Sequence, residues 1–253
     1  MRPSLRRLVL RSAFAALLAP HGAALAKSAI VKEVVESGGL KRTCYVYRPE
    51  GVPAGTRMPL LVLLHGSGHD GTSLVKEWRD QADSEGILLA GPDALAREGW
   101  AFPADGPQFL GDVVAHLEAR YAVDTTRIYL FGHSAGAIFA LSMAPLESEL
   151  FAAAALHAGA FADESAKGVL AHARRKVPFF LAVGTADPFF PLRDVREARE
   201  TLEKAGFPVE LWEIPLHDHN YYRKSGLINR KAWEFLSTKR IEGGGTYTSW
   251  ELR

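Results

Sequence analysis

A single cysteine, Cys44, in 253 residues excludes an intrachain disulfide, so the fold must be held by an apolar core, which this length permits. An excess of charge of either sign is also missing, since 30 lysines and arginines face 29 acids for a formal net charge of +1. That balance leaves no electrostatic footprint for nucleic acid or an anionic membrane. No uncharged run approaches the roughly 20 residues that a bilayer-spanning helix needs. Internal repeats, low-complexity linkers and HExxH-type zinc spacings are absent as well. With 47% hydrophobic and 23% charged residues, the composition is that of one folded domain.

The N-terminus stands apart. Arg2, Arg6, Arg7 and Arg11 precede an apolar run from Ser12 to Ala19, followed by Ala24-Leu25-Ala26. A basic start, a short apolar stretch and a small-x-small site form the pattern of a secretory signal peptide over residues 1–26. The same stretch, Arg6-Arg7-Leu8-Val9-Leu10-Arg11, is similar to a twin-arginine signal. Cleavage after Ala26 removes four arginines and no acids, taking the charge below zero. The expectation is a periplasmic or extracellular protein, residues 27–253, with no stable membrane insertion after cleavage. Residues from about 238 onward, with Glu242-Gly243-Gly244-Gly245, read as a loose tail that Trp250 could dock.

From Ile30 onward, strand-like and helix-like runs alternate. Ile30–Glu36 and Arg42–Arg48 flank Ser37-Gly38-Gly39, a hairpin signal. Buried-strand runs follow at Leu60–Leu64, Ile87–Gly91, Arg127–Phe131, Phe151–Leu156, Val177–Val183 and Val209–Ile214. Helical periods fall at 72–85 (with Thr72 or Ser73 as N-cap), 108–121, 135–144, 194–205 and 223–237. An opening hairpin followed by strand–helix units predicts an α/β fold with a mostly parallel sheet covered by helices on both faces. Functional groups in such sheets gather at the carboxyl ends of the strands.

Four polar clusters stand at those ends. Gly132-His133-Ser134-Ala135-Gly136 separates a strand from a helix. Glycines two before and two after the serine remove side chains that would collide in a sharp turn, leaving Ser134 exposed at its tip. A serine hydroxyl is a weak nucleophile and needs a base. Leu216-His217-Asp218-His219-Asn220 follows the last strand and offers two, His217 and His219. The orienting acid belongs after the preceding strand, where Gly184-Thr185-Ala186-Asp187-Pro188 supplies Asp187, with Asp194 and Asp163 as weaker substitutes. An oxyanion needs two donors: the N–H of Ala135, and an N–H of Ser67 or Gly68 in the turn His65-Gly66-Ser67-Gly68.

Two other readings of these residues carry less weight. Gly66-Ser67-Gly68-His69-Asp70-Gly71 fits the dinucleotide pattern GxGxxG, with Asp93 some 20 residues on. Asp70 would place negative charge in a pyrophosphate cradle, and a helix capped at Thr72 or Ser73 would start beyond the last glycine. The histidines and aspartates of the two loops could also converge on a metal, but without a recognised ligand spacing. No cofactor and no metal are expected.

Taken together, the chain resembles α/β-hydrolase esterases, and more narrowly the group of polyhydroxybutyrate-depolymerase-like and feruloyl-esterase-like proteins. The likeness rests on Gly39-Leu40-Lys41-Arg42-Thr43, Tyr45-Val46-Tyr47-Arg48-Pro49, Leu63-Leu64-His65-Gly66, the segment 121–129 and the serine turn. Asp218-His219-Asn220-Tyr221 is similar to the Asp-His-Ser-Tyr segment of esterases, which selects His219 as base. The resemblance implies a Ser134–His219–Asp187 triad with Ser67 and Ala135 at the oxyanion, acting on a small-molecule or polymeric ester. A peptidase on the same triad and a non-catalytic binding protein of the same fold are the alternatives. No segment is long enough for a large cap. Ala94–Pro107, with Trp100 and Phe102, is the expected pocket wall, and Phe189, Phe190, Tyr221 and Tyr222 flank the acid and base.

Overall fold

The computed structural model describes residues 29–162 and 167–247. The expected leader, Asp163 and Trp250 lie outside the described residues.

Eight strands form one sheet: β1 (Val31–Ser37), β2 (Leu40–Tyr47), β3 (Met58–Leu64), β4 (Leu88–Pro92), β5 (Val123–His133), β6 (Ala153–His157), β7 (Phe179–Gly184) and β8 (Val209–Ile214). Their spatial order is β1-β2-β4-β3-β5-β6-β7-β8. β1, β2 and β4 pair antiparallel, and every pair from β4 to β8 is parallel. The opening hairpin turns on Gly38 and Gly39, both at positive φ (57° and 77°). A two-residue turn needs that conformation to match the strand twist, and glycine adopts it without strain.

Among the described residues, five α-helices cover the sheet: α1 (Gly71–Glu85), α2 (Pro107–Glu118), α3 (Ala135–Leu146), α4 (Leu192–Lys204) and α5 (Ser225–Leu236). β3 shows why both faces are apolar. Leu60, Val62 and Leu64 point into the core beneath α2, α3 and α4, whereas Leu61 and Leu63 point into the core beneath α1 and α5. The connection from β3 runs to β4 on one side and the connection from β4 returns to β5 on the other, so the chain reverses direction across β3 and β5. A crevice opens at the carboxyl ends where strand order reverses.

Element boundaries differ from expectation where polar residues are recruited by pairing. β5 begins at Val123, before Arg127, because Val123 pairs with Met58 ahead of a register shift. α1 begins at Gly71 with Asp70 as its N-cap, not Thr72 or Ser73. Asp70 Oδ1 accepts from Thr72 Oγ1, and the Gly71 N–H donates to Asp93 Oδ1 at 2.8 Å. Asp93, the acid that completed the dinucleotide pattern, is thus bound to the helix start. Gly71 is required for packing, since a Cβ there would meet the Gly91 carbonyl oxygen at 1.9 Å.

Residues 238–247 form no loose tail. Ile241 N–H donates to Thr126 O, Gly245 N–H to Thr125 O and Thr246 N–H to Glu149 O, and Tyr247 packs onto the core. Among the described residues, no helix is long and apolar enough to cross a membrane.

At the end of α3, Glu147 is 1% exposed and both carboxyl oxygens lack a hydrogen-bond partner. Burial, reinforced by the charge of Glu149, pushes its carboxyl from 4.5 up to about 8. The folded state therefore holds this proton more tightly than the unfolded state. Its contribution is fully present below pH 4.5 and is lost as pH rises to about 8, at most ~1.4 kcal/mol per pH unit. Urea unfolding from pH 5 to 8 is expected to show this decline in the wild type and a flatter profile in Glu147→Gln; equal slopes would contradict it.

Candidate active site

The serine turn joins β5 directly to α3. Ser134, between them, is held at φ 56° and ψ −118°, a conformation that L-residues adopt only under strong external constraint. The constraint is visible on both sides. A Cβ on Gly132 would meet Gly136 O at 2.4 Å, and one on Gly136 would meet Leu64 O at 1.9 Å. The Ser134 N–H donates to the His157 carbonyl at 3.0 Å.

His219 stands between the serine and the acid. Its Nε2 is 3.0 Å from Ser134 Oγ and its Nδ1 is 2.9 Å from Asp187 Oδ2. The other oxygen, Asp187 Oδ1, accepts the N–H groups of Phe189 and Phe190 at 2.8 and 3.0 Å. The Asp187 side chain is fully buried. Burial alone would raise its pKa, but the hydrogen bonds from His219, Phe190 and Phe189 outweigh it and hold the carboxyl below its usual range. A carboxylate fixed on Nδ1 selects the tautomer that leaves Nε2 free to take a proton from Oγ. Phe190 stacks on the His219 ring at 5.6 Å and Phe189 meets it edge-on at 4.9 Å.

Ser67 and Ala135 come together at the same place. The position of a Cβ on Gly99 lies 3.4 Å from Ala135 Cβ and 3.7 Å from Ser67 Oγ, and Gly66 packs against Ser134 Cβ. Ala135 opens α3, so its N–H has no partner within the helix. Of the two candidates in the β3 turn, the Gly68 N–H is engaged by Arg97 O at 2.9 Å, which leaves Ser67.

The substitutes for acid and base lie elsewhere. His217 is 2% exposed, and its Nε2 meets His157 Nε2 at 3.2 Å. Asp194 pairs with Arg193, and Asp218 with Arg223. His65 accepts the Ala94 N–H on Nε2 and bonds Gly66 O through Nδ1, while His69 faces Tyr222 at 5.2 Å. Among the described residues, no group of three or more His, Cys, Asp or Glu is placed to hold a metal ion.

The expected pocket wall sits differently. Trp100 is a brace: its Nε1–H donates to His65 O at 2.8 Å and its ring stacks on Phe139 at 5.3 Å. The Arg42–Asp105 ion pair fixes the loop from below, with Asp105 also accepting the Leu95 and Ala101 N–H groups. The wall-forming residues are those at the start of the loop. Asp93–Arg97 lines a polar hollow of about 500 Å³ with His65, His69 and Asp70. A more apolar hollow of about 510 Å³ lies beside His219, lined by His69, His133, Phe189 and Tyr222. Tyr221 belongs to neither, being fully buried. Sequence reasoning missed Gly99, whose one signal is its glycine, and the buried His133 and His157, which carried no spacing signal at all.

Several known proteins are similar to the chain in sequence or in fold. A bifunctional acetylxylan esterase/xylanase from Neocallimastix patriciarum is 29% identical over 156 residues, covering 59% of this chain. The chain spans only 22% of that protein's length. Among solved structures, S-formylglutathione hydrolase from Staphylococcus aureus superposes with a TM-score of 0.68 at 16% identity, over 83% of this chain and 96% of that one. A ferulic acid esterase from Anaeromyces mucronatus superposes with a TM-score of 0.65 at 17% identity, over 86% and 92%. These likenesses, with the strand order, make the fold that of the α/β-hydrolases. Residues 92–234 match the dienelactone hydrolase family, and the chain belongs to that family.

Proposed function

We propose that the protein is a serine hydrolase that cleaves carboxylic esters through an acyl-enzyme, with Ser134 as nucleophile, His219 as base and Asp187 as orienting acid. The observation that supports this most directly is the His219 ring, in hydrogen-bond reach of Ser134 Oγ on one side and Asp187 on the other. Ser134 attacks the ester carbonyl as His219 takes its proton. Negative charge on the carbonyl oxygen rests on the Ala135 and Ser67 N–H groups, each such donor contributing about 2.7–4 kcal/mol. His219 then returns the proton to the departing alcohol, and water hydrolyses the acyl-enzyme by the same route. No cofactor takes part.

The two hollows suggest which ester. Phe189, Tyr222 and His69 offer ring faces to an aromatic or apolar group beside His219. His69, Asp70, Asp93 and Arg97 offer hydrogen-bonding groups to a hydroxyl-bearing portion on the other side. Relatives named as acetylxylan and ferulic acid esterases are consistent with an ester of a small or aromatic acid on a polar alcohol. The proposed location of the mature enzyme is periplasmic or extracellular, on the strength of the leader-like residues 1–26.

Three outcomes test this reading. Purified protein turns over p-nitrophenyl acetate and butyrate, Ser134→Ala abolishes turnover, and Asp187→Asn lowers kcat by roughly 10³–10⁴-fold; an active Ser134→Ala protein would sink the assignment. Phe189→Ala and Tyr222→Ala raise KM for an aromatic acyl ester by about 10-fold while sparing acetate, and equal effects on both would remove the aromatic role. Mass spectrometry of protein recovered outside the cytoplasm finds Lys27 at its N-terminus, whereas an intact leader on all of the protein refutes export by cleavage.

A further inference from the structure

Behind the site lie three buried histidines that the reaction above does not use. His133, His157 and His217 are 5%, 0% and 2% exposed. His133 Nδ1 faces His157 Nδ1 at 3.0 Å, and His157 Nε2 faces His217 Nε2 at 3.2 Å. The three rings come from three segments. His133 ends β5, His157 ends β6 beside it in register, and His217 follows β8. His217 crosses the end of β7 to reach them, a path open only because residue 184 is glycine: a Cβ there would meet His217 O at 2.0 Å.

Backbone strain marks the same places. Among the described residues, three non-glycine positions have positive φ: Ser134, Ala158 and Leu216, at 56°, 55° and 54°. Each adjoins one of the three histidines. Such conformations persist only where surrounding contacts over-determine them.

We propose that His157 is a positioning residue that ties the loop carrying His219 to the turn carrying Ser134, by bridging His217 and His133 through its two ring nitrogens. This rests on the serine-hydrolase reading of the site.

The chemistry is that of a neutral imidazole, which has one donor and one acceptor. With both nitrogens engaged, His157 donates to one neighbour and accepts from the other, so the three tautomers are set together. Asp218 Oδ1, 4.0 Å from His217 Nδ1, favours the sense in which His217 carries its proton on Nδ1. His217 then accepts from His157, and His157 from His133. A second proton on His157 or His217 would place two N–H groups face to face.

The surroundings keep the rings neutral. Burial, then the charge of His219, pushes His133 down to about 3. His69 also disfavours its charge, Asp187 favours it, and the Tyr221 and Tyr222 rings pack against it. His157, lowered by burial, faces His133, His217, His219 and the Tyr221 ring. His217, lowered by burial, faces Lys224 and His219, with Asp218 and Asp187 opposing.

The experiment compares H157F with H157Q. Phenylalanine keeps the ring and loses both bridges. Glutamine sets an amide at the reach of Nε2 and restores the link to His217. Kinetics on p-nitrophenyl butyrate are expected to show kcat about 10–100-fold down in H157F with KM within about twofold, and recovery of part of that loss in H157Q. An H157F with wild-type kcat, or an H157Q no better than H157F, overturns the proposal. Imidazole ¹H–¹⁵N spectra of the wild-type protein give a readout that needs no variant. They are expected to show His133, His157 and His217 each as one fixed neutral tautomer at pH 8, and rapid tautomer exchange overturns the bridge. Wild-type protein inactive on every ester would remove the serine-hydrolase reading instead, and the spectra would still decide on the bridge.

Discussion

The site depends on a steric constraint: the turn at Ser134 is pressed against the turn after β3 so closely that only glycine fits between them. Gly136 lies where a methyl group would meet the Leu64 carbonyl oxygen, and Gly132 lies where one would meet Gly136 itself. That contact fixes the strained backbone of Ser134, brings Ser67 beside Ala135, and aims Oγ out of the sheet edge. His219 and Asp187, 85 and 32 residues away from their respective partners in the hydrogen-bonded chain, then converge on a point already set by backbone packing. Strain at Ser134 is held by the buried centre of a parallel sheet.

Electrostatically, the site is arranged around one ionised acid. Asp187 is buried but satisfied by three donors, so its charge is stable and faces His219. Burial pushes the three histidines behind toward their neutral forms, which in the proposed mechanism would spare a protonated His219 from positive neighbours. Phe189 and Phe190 pack against the His219 ring from the other side. A charge created in such surroundings is less screened than in water, so the Asp187 contact counts for more.

Much of this was legible in the sequence because periodicity and glycine spacing are local signals. The strand runs, the hairpin glycines and the serine turn each follow from a few adjacent residues. The legible part stops where structure depends on register. Val123 joins β5 through its pairing with Met58, although the polar residues 124–127 do not read as strand. Asp70 caps α1, so the argument that the helix starts beyond the last glycine does not hold; what separates the turn from a dinucleotide cradle is Asp70 itself and the use of Asp93 to bind the helix start. Trp100 was expected to line the pocket and instead braces the loop, because its indole N–H finds the His65 carbonyl. The histidine chain exists only through the pairing of β5 with β6 and the crossing over Gly184, neither of which a linear spacing can display.

The central claim is that Ser134 is the reactive nucleophile. Its most direct test is to treat the purified protein with a fluorophosphonate and locate the adduct by peptide mass spectrometry. The account predicts one adduct per chain, on Ser134. A folded protein with no adduct, or with its adduct on another serine, would contradict it.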